Sequence, residues 1–113
     1  MPKKMDRRSP RPPKRYREFV AAYPLLWEAW EKLGAAGREG PLDERTCRLV
    51  KLAVAMGALR EGAVRSGTRK ALAEGLTPAE LRQVVALAAG TLGMPSTVAC
   101  YSWMTEAAAK RKG

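Results

Sequence analysis

The stretch REGAVRSGTRKALAEGLTPAELRQVV, residues 60–85, contains the clearest helix boundary in the chain. Gly75 is a typical residue just past a helix end, and Thr77-Pro78-Ala79-Glu80 combines a capping box with proline at the first helical position. These signals predict one helix over about 61–74 and another that starts at 77–78. The second helix carries apolar residues at helical spacing, namely Leu81, Val84, Val85, Ala88 and Leu92.

Helical signals follow one another from Tyr16 onward, and no run alternates with the period of a strand. Pro24 is expected to end a short helix of about 16–22 and to begin the next, of about 24–35. Further helices are predicted over about 43–58 and, after a break at 93–95, over about 96–109. The 43–58 helix has a stripe that we expect to be buried, formed by Leu49, Val50, Ala53, Val54 and Gly57. The predicted fold class is all-α, with about six helices.

Length and composition indicate one globular domain. The chain has 113 residues, of which 46% are hydrophobic and 28% charged, and its apolar runs are shorter than the roughly 18 residues that a membrane-spanning helix needs. The basic N-terminus lacks the apolar stretch of a secretory signal. We therefore expect no membrane contact and a cytoplasmic location.

The net charge of +10 is concentrated at the two ends. Residues 1–18 hold eight Lys or Arg against two acids and the last four residues hold three more cations, whereas residues 19–109 hold ten cations against nine anions. We predict a basic, proline-rich tail at 1–15, a helical domain at 16–109 and a basic tail at 110–113. Tails of this kind can attract nucleic-acid phosphates, but the chain has no stacking or recognition-helix motif, so a solubilising or intersubunit arm is favoured.

The residues available for chemistry are few. The chain has no histidine, and its two cysteines, Cys47 and Cys100, lie far apart and form neither a CxxC pair nor a metal-ligand cluster. We expect no metal and no cofactor, which leaves Asp, Glu, Lys, Tyr or Cys for proton transfer. The chain has no Asn and a single Gln, Gln83, a trait that suggests a thermophilic source.

Four stretches together resemble the carboxymuconolactone decarboxylase family, which includes the alkylhydroperoxidase AhpD. They are YPLLWEAWEKLG, PLDERTCRLVKLAVAMG, REGAVRSGTRKALAEGLTPAELRQVV and LAAGTLGMPSTVACYSWM, covering roughly residues 20–106. The resemblance implies an AhpD-like helical bundle that assembles into homotrimers or homohexamers. It also implies a pocket at the junction of the third and fourth helices, near a subunit interface.

The resemblance fails at the reactive positions of both branches. The AhpD-like branch reduces peroxides with a CxxC motif and a histidine, and the matching positions here are Arg60, Ala63 and Gly67. Thiol peroxidase activity of the AhpD kind is therefore not expected, although family annotation alone would suggest it. The decarboxylase branch binds a carboxylated lactone and moves a proton, and Arg60 with Glu61 fits the start of its pattern while Gly67 replaces the histidine.

If the protein is an enzyme, the resemblance implies a lyase that performs cofactor-independent proton transfer or decarboxylation on a small carboxylate. Glu61 would then be the base, with Arg60, Arg65, Gly67 and Arg69 around the small anionic ligand. Structural interpretations stand beside this one. An acid in the first helical turn is favoured by the helix dipole and pairs with Arg65, and Gly67 indicates either room for a ligand or a closely packed helix. The competing function is a non-catalytic binding or scaffold protein whose basic tails contact nucleic acid or acidic partners.

Overall fold

The computed structural model describes residues 13–112, with side chains through residue 110. These residues form six helices and no strand, which confirms the all-α class. The helices are α1 (Lys14–Ala22), α2 (Pro24–Gly37), α3 (Glu44–Gly57), α4 (Glu61–Ala73), α5 (Pro78–Leu92) and α6 (Met94–Lys112). In the described part of the chain, none of them is long and apolar enough to cross a membrane.

The chain divides into two compact units, and the first consists of α1 and α2. As predicted, α1 stops before Tyr23, whose amide donates a hydrogen bond to the Phe19 carbonyl at 3.0 Å. The two rings also contact each other, with centroids 5.2 Å apart. Pro24 then takes the first position of α2, where its missing N–H costs nothing. Several large apolar side chains of α2 are exposed, namely Leu25, Leu26, Trp30 and Leu33.

The second unit begins at Arg45 and contains the hydrophobic core. Helix α6 packs against both α4 and α5. Side chains from α3, α4, α5 and α6 meet in one cluster, which comprises Leu52, Met56, Val64, Ala71, Leu76, Leu81, Val84, Val85, Cys100 and Met104. Burial of this cluster holds α4 in place between α3 and α6, and so fixes the predicted site at the start of α4.

The prediction for α3 is wrong about which face is buried. Leu52 and Met56 are the buried residues of this helix, whereas Val50 is 45% and Val54 64% exposed. Helix α3 has apolar residues on two faces, so periodicity alone cannot tell which face meets the core. Of the predicted stripe, Leu49 packs partly against the core, and Leu49, Val50, Ala53 and Gly57 border an open groove.

The α4–α5 joint is built as the sequence predicts. Gly75 has a φ of +97°, a conformation that favours glycine, and ends α4. The Thr77 hydroxyl accepts a hydrogen bond from the Glu80 amide at 3.2 Å, and the Glu80 carboxylate accepts one from the Thr77 amide at 2.8 Å, which completes the capping box.

Helix α6 is longer than predicted at both ends. It begins at Met94 rather than residue 96, because Gly93 at φ +82° makes the turn and Pro95 fits in the first helical turn. It also includes residues 110–112, which the sequence analysis assigns to a tail. Residues 1–12, most of the predicted N-terminal tail, lie outside the described residues.

Candidate functional site

The start of α4, where the predicted site lies, follows a tight turn after α3. Leu59 has a φ of +54°, an uncommon conformation for a residue with a side chain. Its amide donates to the Met56 carbonyl at 2.9 Å, and the Arg60 amide donates to the Ala55 carbonyl at 3.0 Å. This turn places Glu61 in the first turn of α4, where the helix dipole favours a negative charge.

Glu61 is held by Arg65, one helical turn further along. Arg65 Nε donates to Glu61 Oε2 at 3.0 Å, and Arg65 Nη2 donates to Glu106 Oε1 of α6 at 2.8 Å. Hydrogen bonds to Glu106 and then to Glu61 raise the pKa of Arg65 above its usual value. The Arg65 side chain is 26% exposed, whereas those of Glu61 and Glu106 are 53% and 61% exposed. The site is therefore a surface network of two carboxylates sharing one guanidinium.

The other predicted site residues do not gather around this network. Arg60 is the residue before α4, is exposed and makes no side-chain cap. Arg69 lies one further turn along the same face as Arg65 and is half-buried. Gly67 lies on a different face of α4, where a Cβ would come within 3.2 Å of Leu52 Cδ1 in the core. Close approach of α3 thus accounts for this glycine.

A groove between α3 and α5 is a second candidate site, which the sequence analysis did not identify. It has a volume of 580 Å³ and is mostly apolar, with none of the predicted site residues in its walls. Leu87 of α5 is 73% exposed along it. Its walls are formed by Thr46, Leu49, Val50, Ala53 and Gly57 of α3 and by Glu80, Gln83, Val84, Leu87, Ala88, Thr91 and Leu92 of α5.

The two cysteines lie on different helices and neither forms a disulfide. Cys100 of α6 is fully buried, its thiol donates to the Met56 carbonyl at 3.6 Å, and burial raises its pKa. A raised pKa disfavours the thiolate, the nucleophilic form that peroxide reduction requires. Within the described residues, no group of three or more His, Cys, Asp or Glu side chains lies close enough together to bind a metal ion.

Comparison with known protein families agrees with this architecture. The model of the carboxymuconolactone decarboxylase family matches residues 24–106, from the start of α2 into α6. The chain belongs to the carboxymuconolactone decarboxylase family. The match includes both the start of α4 and the groove between α3 and α5. No curated protein and no solved structure matches the chain.

Proposed function

We propose that this family member binds a small carboxylate at the start of α4 and transfers a proton with Glu61, without a cofactor. The observation that carries the proposal is the hydrogen bond from Arg65 to Glu61 Oε2. It orients the carboxylate and leaves the second oxygen, Oε1, without a hydrogen-bond partner among the described residues, on a side chain that is 53% exposed. An oriented carboxylate with one available oxygen is the arrangement that a general base needs.

The substrate carboxylate would bind to Arg60 and to Arg65. Arg60 is exposed beside the base, and Arg65 presents a guanidinium suited to a planar carboxylate. Because a carboxylate is in general a weak base, the proton removed must be acidified by neighbouring carbonyl groups, as in a β-keto acid or a carboxylated lactone. The reaction class is thus proton transfer or decarboxylation, of lyase type.

Peroxide reduction is a weaker candidate for the function of this site. It needs a reactive thiolate near a second sulfur, and the positions beside Glu61 are occupied by arginine, alanine and glycine. Cys100 donates its thiol hydrogen into the core rather than facing the surface.

The test compares Glu61→Gln with Glu106→Gln, because each removes the charge of one carboxylate that binds Arg65 and only the first removes the base. Proton exchange into D₂O, followed by NMR, and CO₂ release are measured on a panel of carboxylated lactones and β-keto acids. Glu61→Gln is expected to lower turnover by about 100-fold or more. Glu106→Gln is expected to keep turnover within about threefold and to lower KM, since a neutral amide oxygen competes less strongly with the substrate carboxylate for Arg65 Nη2. Equal losses in both variants would show that the network is structural.

A second candidate, assembly into a homotrimer or homohexamer without catalysis, is favoured by the apolar groove. We propose that a second copy of the chain covers the groove, since Leu87 and Val50 expose apolar side chains along it and symmetric assembly would bury them. Leu87→Glu places a charge in the groove, and Ala86→Glu, at the adjacent exposed position outside its walls, is the matched control. Light scattering after size-exclusion chromatography is expected to show smaller particles for Leu87→Glu alone. A monomeric wild-type protein would refute assembly.

A further inference from the structure

The seam between α3 and α4 brings cations together at the end of α4 remote from Glu61. Arg48 donates from Nε and Nη2 to the two carboxylate oxygens of Glu74, each at 3.1 Å. One α3 turn further, Leu52 approaches Gly67. Lys51 lies between Arg48 and Leu52 on α3, and Lys70 lies between Gly67 and Glu74 on α4. Because the two helices run antiparallel, the two lysines lie across the seam from each other.

The charges at this seam do not balance. Glu74 is the acid among them, and both of its oxygens are engaged by Arg48, whose side chain is only 17% exposed. Among the described residues, no carboxylate lies within ion-pair distance of Lys51 or Lys70. Arg69, the neighbour of Lys70, adds a further positive charge. The seam thus has two to three uncompensated cations.

This juxtaposition opposes folding unless another interaction compensates for it. Partial desolvation, and then the charges of Arg48 and Lys51, lower the pKa of Lys70 below its usual value, while Glu74 opposes the shift. Lys70 lies in the last turn of α4, where the helix dipole favours a cation. That effect does not account for Lys51, which lies in the middle of α3.

We propose that Arg48, Lys51 and Lys70 form a binding site for a phosphate group, separate from the site at Glu61. A phosphate monoester carries a charge of about −1.5 to −2 at pH 7, which matches the uncompensated charge better than a single carboxylate would. Arg48 is already fixed by Glu74 and supplies a rigid side of the site. The two lysines are exposed point charges that suit a tetrahedral anion approaching from solvent.

The experiment measures thermal unfolding of the full chain with pyrophosphate, against chloride at equal ionic strength. Wild type is compared with Lys51→Gln, Lys70→Gln and the control Lys110→Gln. Lys110 is an exposed lysine on α6, one turn beyond Glu106, and α6 contributes no residue to the seam between α3 and α4. Pyrophosphate at about five times its dissociation constant is expected to raise Tm by about 4–8 °C in wild type and Lys110→Gln. The rise should fall to less than half in the two seam variants, which should themselves be slightly more stable than wild type in chloride.

A second arm distinguishes a free phosphate compound from nucleic acid, whose backbone offers the same group. Binding of a 20-base-pair DNA duplex is measured for the same four proteins at fixed salt. If the seam variants respond less to pyrophosphate than wild type does, the site is assigned to a small phosphate compound. If they weaken DNA binding alone, the site is assigned to nucleic acid. If the seam variants match Lys110→Gln with both ligands, or neither ligand affects wild type, the proposal is overturned.

Discussion

Replacing Thr68 with valine should stabilise the protein. Thr68 of α4 is fully buried, and among the described residues its hydroxyl oxygen has no hydrogen-bond partner. An unpaired buried hydroxyl costs roughly 1–3 kcal/mol in protein mutational data. Valine has nearly the same shape and helix propensity as threonine and has no polar atom to bury. We expect Thr68→Val to raise the free energy of unfolding by about 1–2 kcal/mol.

Thr97 of α6 supplies the matched control. It is also buried, but its hydroxyl donates to the Gly93 carbonyl at 2.7 Å. Thr97→Val removes that hydrogen bond and should lower the free energy of unfolding by about 0.5–1.5 kcal/mol. The same substitution is therefore expected to act with opposite sign at the two positions.

Urea unfolding followed by circular dichroism gives both free energies, and a thermal scan should show shifts of roughly 4–8 °C per kcal/mol. Protein concentration is held constant, because self-association would make the apparent stability depend on it. If Thr68→Val destabilises the protein as much as Thr97→Val does, the Thr68 hydroxyl has a hydrogen-bond partner and the reasoning fails. A change in the denaturant slope would instead indicate an altered unfolded state.

Three further predictions concern backbone, cap and charge. Gly90 is at an exposed helical position with nothing near a new Cβ, so Gly90→Ala should raise the free energy of unfolding by about 1 kcal/mol. Gly67→Ala should raise it little, because the new Cβ would meet the core. Urea unfolding of both variants measures the difference. Thr77→Ala should destabilise by about 1 kcal/mol in the same assay, through loss of the capping box. The pKa of Lys70 is lowered in the folded state, so the unfolded state retains the proton to higher pH. The amount by which Lys70 destabilises the protein relative to Lys70→Gln should therefore shrink as pH rises toward 10.5. The Tm difference between the two proteins, measured without phosphate, checks this.

The features that could be predicted from the sequence are those encoded within a few residues. The capping box pairs Thr77 with Glu80 over three positions, and Pro24 ends one helix and starts the next within two residues. The buried face of α3 is different in kind, because Leu52 becomes buried through contact with residues distant in sequence, such as Gly67 of α4. Periodicity identifies an apolar face but cannot identify what covers it.

The same distinction applies to the candidate site. The Glu61–Arg65 pair follows from the spacing of four residues along one helix. Glu106 is 41 positions from Arg65, and nothing in the local sequence indicates that α6 passes close enough to share the guanidinium. Gly67 had two interpretations in the sequence, and the position of Leu52 across the seam supports the close-packing one.

The order of the charges along the chain does not indicate how they are distributed in space. Residues 19–109 are nearly neutral in total, but the two ends of α4 differ in charge. At its start, Glu61 and Glu106 share Arg65. At its other end, Arg48 and Lys70 lie near the single acid Glu74. The helix dipole favours Glu61 in the first turn of α4 and Lys70 in its last turn, but it does not account for Lys51 on α3. Under the proposals made above, a small anion would meet more positive charge at the seam than beside Glu61, where Glu106 already accepts a hydrogen bond from Arg65. The function proposed for Glu61 therefore requires a substrate whose carboxylate competes with Glu106 for Arg65.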